Sequence, residues 1–233
     1  TFEHFPLSLA NAFMPDQVVA FTGDIDGGLY ISGAMEKPKL SGDLSLDSVS
    51  VYARQAGARY WFDNRPLKIE NNQLIFNKFA IYTTSRNPFT IDGNVDFRNM
   101  ENPTAKLNLR AQNYTLLDAP RTKESMIYGK IFVDLNATVR GPLDGLTMRG
   151  NMNLLGNTDV TYVLTDSPLT VEDRLGELVT FTSFTDTTSV QATEVPTMSL
   201  GGMDMLMSVH IDDAVRLRAD LSPDRSSRVE LEG

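Results

Sequence analysis

Cysteine is missing from all 233 residues, which removes disulfide frameworks, thiolate zinc sites and cysteine nucleophiles together. Histidine is nearly missing too. His4 and His210 stand at opposite ends of the chain and form no paired zinc motif. Neither a G-x-S-x-G nucleophile elbow nor a glycine-rich phosphate loop occurs. No run approaches the roughly twenty apolar residues that a membrane-spanning helix needs. Basic charge is scarce, with 21 Lys and Arg against 30 Asp and Glu and a net charge of −9. That balance argues against nucleic acid or anionic headgroups as partners. No enzyme activity, metal or cofactor is expected from such a chain.

Two fainter signals resolve into structural readings. Asp24-x-Asp26-Gly27 has the start of a calcium loop but lacks the later ligands and the terminal glutamate, so a turn is the simpler reading. Trp61, the single tryptophan, lies between Tyr60 and Phe62. A strand with that triplet puts Tyr60 and Phe62 into a core and leaves the indole half covered on the other face.

What the chain does contain is alternation. Residues 41% apolar are enough for a sizeable core, and most of them fall at every second position, the period of a strand with one buried face. One unit recurs. Ile31-x-Gly33-x-Met35 is followed, after two residues, by Pro38-x-Leu40-x-Gly42-x-Leu44-x-Leu46. Val139-x-Gly141-x-Leu143 is followed in the same way by Leu146-x-Met148-x-Gly150-x-Met152-x-Leu154, at a constant shift of 108 positions. Phe89-x-Ile91-x-Gly93-x-Val95-x-Phe97 and Ala105-x-Leu107-x-Leu109-x-Ala111 make a partial third copy, with Pro103 before the return strand.

Other strands fill the intervals. Asp26-Gly27-Gly28 reads as a tight hairpin turn between Phe21–Ile25 and Leu29–Ile31. Asp47-Ser48 reads as a bulge or short turn before Val49 and Val51. Leu67-x-Ile69, Leu74-x-Phe76 and Phe79-x-Ile81 group around Asn71-Asn72. The run from Ile127 to Val139, at about 3.3 Å per residue, spans roughly 40 Å and is long for a strand. Its other face carries Lys130, Asp134, Asn136, Thr138 and Arg140, with Phe132 the exception. Met203, Met205, Met207, Val209 and Ile211 share a face further on, followed by Val215 to Leu221.

Three segments depart from the period. Val171, Leu175, Leu178 and Val179, behind a Thr170/Asp173 cap, predict a short amphipathic helix near 171–181. Residues 185–197 are rich in Ser and Thr and read as a loop, and 112–126 has no period and reads as another. The whole, 1–233, is expected to be a single elongated module with internal repeats around 19–51, 89–111, 127–164 and 200–221. Thr1-Phe2-Glu3-His4 shows no signal pattern and starts mid-pattern, as a piece of a longer protein would.

The repeated unit resembles the AsmA-like superfamily of envelope proteins. The stretches Asn87–Gly93, Tyr128–Val133 and Ala219–Ser227 resemble, within it, the TamB family, in its C-terminal conserved region. The resemblance implies an all-β fold, an elongated curved sheet folded like a taco around an apolar groove. It further implies a periplasmic place, an inner-membrane anchor elsewhere in the full-length protein, and an outer-membrane barrel partner of the TamA type. The cargo it implies is phospholipid acyl chains moving toward the outer membrane, alongside outer-membrane and secreted protein biogenesis.

The residues expected to line that groove are Leu44, Leu46, Leu107, Leu109, Ile131, Val133, Leu135, Val139, Met148, Met152, Met203, Met205, Met207 and Val209. Methionine suits a surface that adapts to variable apolar partners, and it equally suits a packed core. Alternation is met by an open groove or by a closed, dry core. A charge at Val133 distinguishes them, being tolerated by a wide groove and ruinous in a core. The competing role is chaperone-like, with sheet edges pairing strands of outer-membrane proteins. A membrane β-barrel is disfavoured by the lack of aromatic girdles.

Overall fold

Strands form wherever the alternation is strict. The computed structural model describes residues 1–13, 19–34, 37–54, 57–122, 125–163, 199–200, 203–220 and 228–232. In chain order the strands are β1 (Phe2–Pro6), β2 (Val19–Ala34), β3 (Lys37–Ala53), β4 (Ala58–Phe62), β5 (Leu67–Glu70), β6 (Gln73–Tyr82), β7 (Phe89–Asp96) and β8 (Thr104–Ala119). They continue with β9 (Ile127–Pro142), β10 (Thr147–Leu154), β11 (Asp159–Val163), β12 (Ser199–Leu200), β13 (Met203–Ile211), β14 (Arg216–Asp220) and β15 (Arg228–Glu232). A 3-10 helix at Leu7–Phe13 is the one helical element among the described residues. The helix expected near 171–181 and the loop expected at 185–197 lie outside them.

All fifteen strands among the described residues belong to one sheet. Its main path runs β1-β2-β3-β4-β6-β7-β8-β9-β10-β13-β12, with β5 between β3 and β6 and with β11, β14 and β15 branching from β9. The pairing is antiparallel except where β13 lies parallel to β10 and β14 parallel to β11. The all-β expectation therefore holds, as one large mixed sheet.

The repeated unit is a hairpin in both places, and the register is the same. Ile31 faces Leu40 and Leu29 faces Gly42 in the first. Val139 faces Met148 and Ala137 faces Gly150 in the second. The partial copy is the β7–β8 hairpin, where Gly93 faces Leu107 and Val95 faces Ala105. Asn71 and Asn72, at φ 51° and 62°, make the two-residue turn between β5 and β6, the left-handed geometry that asparagine tolerates best after glycine.

Two expectations are corrected. Asp26-Gly27-Gly28 is not a turn but the middle of β2, where Gly27 faces Leu44 and Gly28 faces Asp43. Gly27 is needed for close approach instead, since a Cβ there would sit 2.3 Å from the Asp43 carbonyl oxygen. Residues 112–119 are not loop either, because β8 continues to Ala119. Two bulges interrupt it, between Ala111 and Tyr114 and between Thr115 and Leu117. Each adds a residue and resets which side chains face the core, so the period of two disappears from the sequence while the strand persists. The bulge expected at Asp47-Ser48 is present, with Ser48 at φ 52° and a register shift opposite Thr22–Asp24.

Candidate functional site

Pairing carries one face across the sheet, because directly opposed residues point to the same side. Leu107 faces Val139, Val139 faces Met148, and Met148 faces Met205. A second row joins Leu109, Ala137, Gly150 and Met207, and a third joins Ala111, Leu135, Met152 and Val209. Ile131 faces Leu117 and Val133 faces Tyr114. On the other side of β7, Leu44 faces Leu67 and Leu46 faces Ile25, and the rows reach them through Ile69, Leu74 and Val95. Met203 faces Leu200 at the β12 edge. Every residue expected to line the groove lies on this one face.

Burial is uneven along it. Val133 and Val139 are 3% and 5% exposed and Ala137 is as well covered. Val133 packs with Ala111 and Tyr114, and Phe89, Ile131, Leu135 and Met152 close around them. Leu44, Leu46, Leu107, Leu109, Met148, Met152, Met203, Met205 and Met207 are half-buried. Towards the margins exposure rises to 49% at Val209 and 76% at Ile31. The face is thus a packed floor at the centre of the sheet with half-covered apolar flanks. Val133, named above as the discriminating position, belongs to the floor.

The opposite face is mostly polar, with Leu206 and Trp61 as exposed apolar exceptions. One row joins Thr90, Arg110, Asn136, Asn151 and Ser208, and another joins Asn108, Thr138, Arg149 and Leu206. Arg149 pairs with Asp204 at 2.5 Å on this side. A shallow depression of about 600 Å³ is lined here by Thr90, Arg110, Asp134, Asn136, Asn151 and Asn153, with no aromatic ring to stack on. Trp61 faces this side at 40% exposed while Tyr60 and Phe62 face the apolar one, as their alternation requires.

Sequence reasoning missed a group at the far end of β8. Burial pushes the Tyr114 phenol far up, helped by the neighbouring Tyr60. Burial likewise raises the Tyr60 phenol, whose Oη donates to the Leu116 carbonyl at 2.9 Å. Thr83 Oγ1 donates to the Thr115 carbonyl at 2.7 Å. These contacts join segments far apart in the chain, so no local pattern announces them.

Among the described residues no cluster of three or more His, Cys, Asp or Glu could hold a metal ion. His4 lies 3.8 Å from Asp26 and His210 lies 3.7 Å from Asp212, two isolated pairs on exposed side chains. No described helix is long and apolar enough to cross a membrane.

A family model for the TamB C-terminal domain matches residues 77–233, more than half of the chain. No curated protein and no solved structure matches.

Proposed function

From the premise that the chain belongs to the TamB C-terminal domain family, whose members serve envelope transport and assembly, we propose that its apolar face is a lipid-carrying wall. The family is a cell-envelope one that works with outer-membrane partners in general. On this reading the segment sits in the periplasm, in a full-length protein anchored in the inner membrane and meeting a barrel of the TamA type. Its cargo is phospholipid acyl chains on their way to the outer membrane.

The carrying observation is the run of apolar side chains across the sheet, half-buried at Leu107, Leu109, Met148, Met152, Met205 and Met207 and floored on β9 by the covered Val139 and Ala137, with a mostly polar face behind. An acyl chain laid along Leu107, Leu109, Met148, Met152, Met205 and Met207 exchanges water for methionine and leucine at about 0.8 kcal/mol per buried CH₂. No bond is made or broken, so no catalytic group is required. Methionine's flexibility lets one surface take chains of different length and unsaturation.

Met205 and Leu206 provide the test, because they are adjacent, both apolar, and on opposite faces. Photo-crosslinkers at the two positions in the full-length protein should give lipid adducts from Met205 and none from Leu206. Equal labelling of both, or of neither, would defeat the conduit.

The second reading, strand pairing with outer-membrane protein clients, rests on β13. Among the described residues β12 pairs only with Met203 and Asp204, which leaves the rest of that edge without a partner strand. Protein adducts at Ser208 that map to client strands would support this role.

A further inference from the structure

The sheet contains a joint made without a ladder. β7 begins level with Ala111, so the stretch of β8 from Asn113 to Ala119 has β9 on one side and, among the described residues, no paired strand on the other. β4 occupies that side. It is laddered to β3 and, at Trp61 and Phe62, to β6, but not to β8. Ala58 nevertheless packs with Leu117, Ala119 and Val160, and Tyr60 lies against the same cluster.

Side chains meet that edge in place of a strand, Tyr60 from β4 and Thr83, Thr84 and Asn87 from the connection between β6 and β7. Asn87 Nδ2 donates to the Asn113 carbonyl at 3.0 Å, Thr83 Oγ1 to Thr115 at 2.7 Å, and Tyr60 Oη to Leu116 at 2.9 Å. Thr84 Oγ1 donates to the Asp118 carboxylate at 2.9 Å. Backbone ladders are cooperative because each bond fixes the register of the next. Separate side-chain bonds can be released one at a time and replaced by water. The apolar contact at the seam joins Ala58 of β4 to Leu117 and Ala119 of β8 and to Val160, with Tyr60 against them, and its two alanines interlock little with their neighbours.

The cluster also lies on the apolar face. Leu117 faces Ile131, Ala119 faces Gly129, and Gly129 faces Val160. Parting β4 from β8 would therefore open the wall of the face and extend the apolar surface reachable by a guest. We propose that the β4–β8 seam is a releasable joint whose opening is a step in the passage of apolar cargo. The proposal rests on the lipid-carrying reading above.

A disulfide tests it. A Cβ at Gly57 would stand 3.7 Å from the Ala119 Cβ, within the roughly 3.5–4.5 Å that a disulfide spans. The chain has no cysteine to compete. G57C/A119C would be placed in the full-length protein, with G57C alone controlling for a side chain at φ +59°. Labelled phospholipid transfer and lipid adducts at Met205 are then read in the reduced and oxidised forms. The joint predicts that oxidation cuts transfer at least fivefold, that reduction restores it, and that G57C alone behaves as the parent. Equal transfer in both forms, with adducts persisting, overturns the joint and leaves the conduit standing. No adduct at Met205 even in the parent overturns the conduit, and the joint's role with it. Amide exchange supplies a readout independent of cargo. Amides at 58–60 and 115–118 should exchange at least threefold more slowly in the oxidised form than in the reduced form. Equal rates in the two forms would likewise refute a releasable seam.

Discussion

Gly150 faces Ala137 across the β9–β10 hairpin with almost no room between the strands. A Cβ there would lie 2.4 Å from the Asn136 carbonyl oxygen and 2.6 Å from the Ala137 Cα. Both neighbours are backbone, so neither can rotate away, and G150A must push the strands apart. Overpacking of this kind costs about 1–3 kcal/mol, to be read as a lower urea midpoint with an unchanged slope. A midpoint equal to the parent's would show that the hairpin is looser than described. The glycine was legible in the sequence as a repeated position. The reason for it was not, because alternation reports which face a residue takes and is silent on how closely the next strand approaches. Gly27 misleads for the same reason, since Gly28 next to it in the chain imitates a turn.

At the scale of elements, the β5–β6 hairpin separates a turn residue from a tie. Asn71 and Asn72 share the left-handed turn geometry, yet only Asn72 is buried. Its Oδ1 accepts from the Leu40 amide at 2.7 Å and its Nδ2 donates to the Pro38 carbonyl at 2.8 Å, which fastens the hairpin to β3. Glycine at either position keeps the turn. N72G should therefore cost about 1–3 kcal/mol by stranding buried partners, and N71G close to nothing. Equal thermal shifts for the two variants would refute the tie. The same contrast explains what could be read beforehand. β9 was visible from Ile127 to Val139 because nothing interrupts its period. The end of β8 was invisible because each of two bulges, at Gln112–Asn113 and at Leu116, inserts an extra residue, so Tyr114 falls out of phase with Ala111 and the phase returns only at Leu117. The seam with β4 was beyond reach altogether, depending on chain segments more than fifty residues apart.

For the molecule as a whole, acidity sets two effects against each other. Arg98 holds the Asp96 carboxyl well below its usual range by a side-chain hydrogen bond, and a side-chain hydrogen bond from Arg149 lowers Asp204. Burial pushes Asp63 up, but the bonds from Arg65 outweigh it and the net direction is down. A carboxylate lowered on folding adds stability that is fully present above its unfolded value of about 3.9 and is lost as pH falls through the folded one. Against this, a net charge of −9 repels itself at neutrality, and mild acid relieves that. Stability should hold level or rise slightly from pH 7 to about 5 and fall below about 4. The fall should be modest, since the arginine partners are exposed and the pairs are screened by salt. R65Q/R98Q/R149Q should flatten the acid limb of a midpoint-versus-pH curve. An acid limb as steep as the parent's would assign the loss to other groups.

The two parallel pairings hold a further consequence. Met148 faces Met205 and Val160 faces Leu217, one constant offset on both sides of a corner. Backbone bonds run straight across the bend, from Asp212 to Leu154 and from Arg216 to Thr158. The segment β13–corner–β14 is laid on β10–corner–β11 like a second course of bricks on the first. A course that copies the one beneath needs no symmetry partner and no new register rule, so this architecture can gain length by whole courses only. A single inserted residue in either corner would throw one arm out of step with the other, and the next course would have nothing level to rest on.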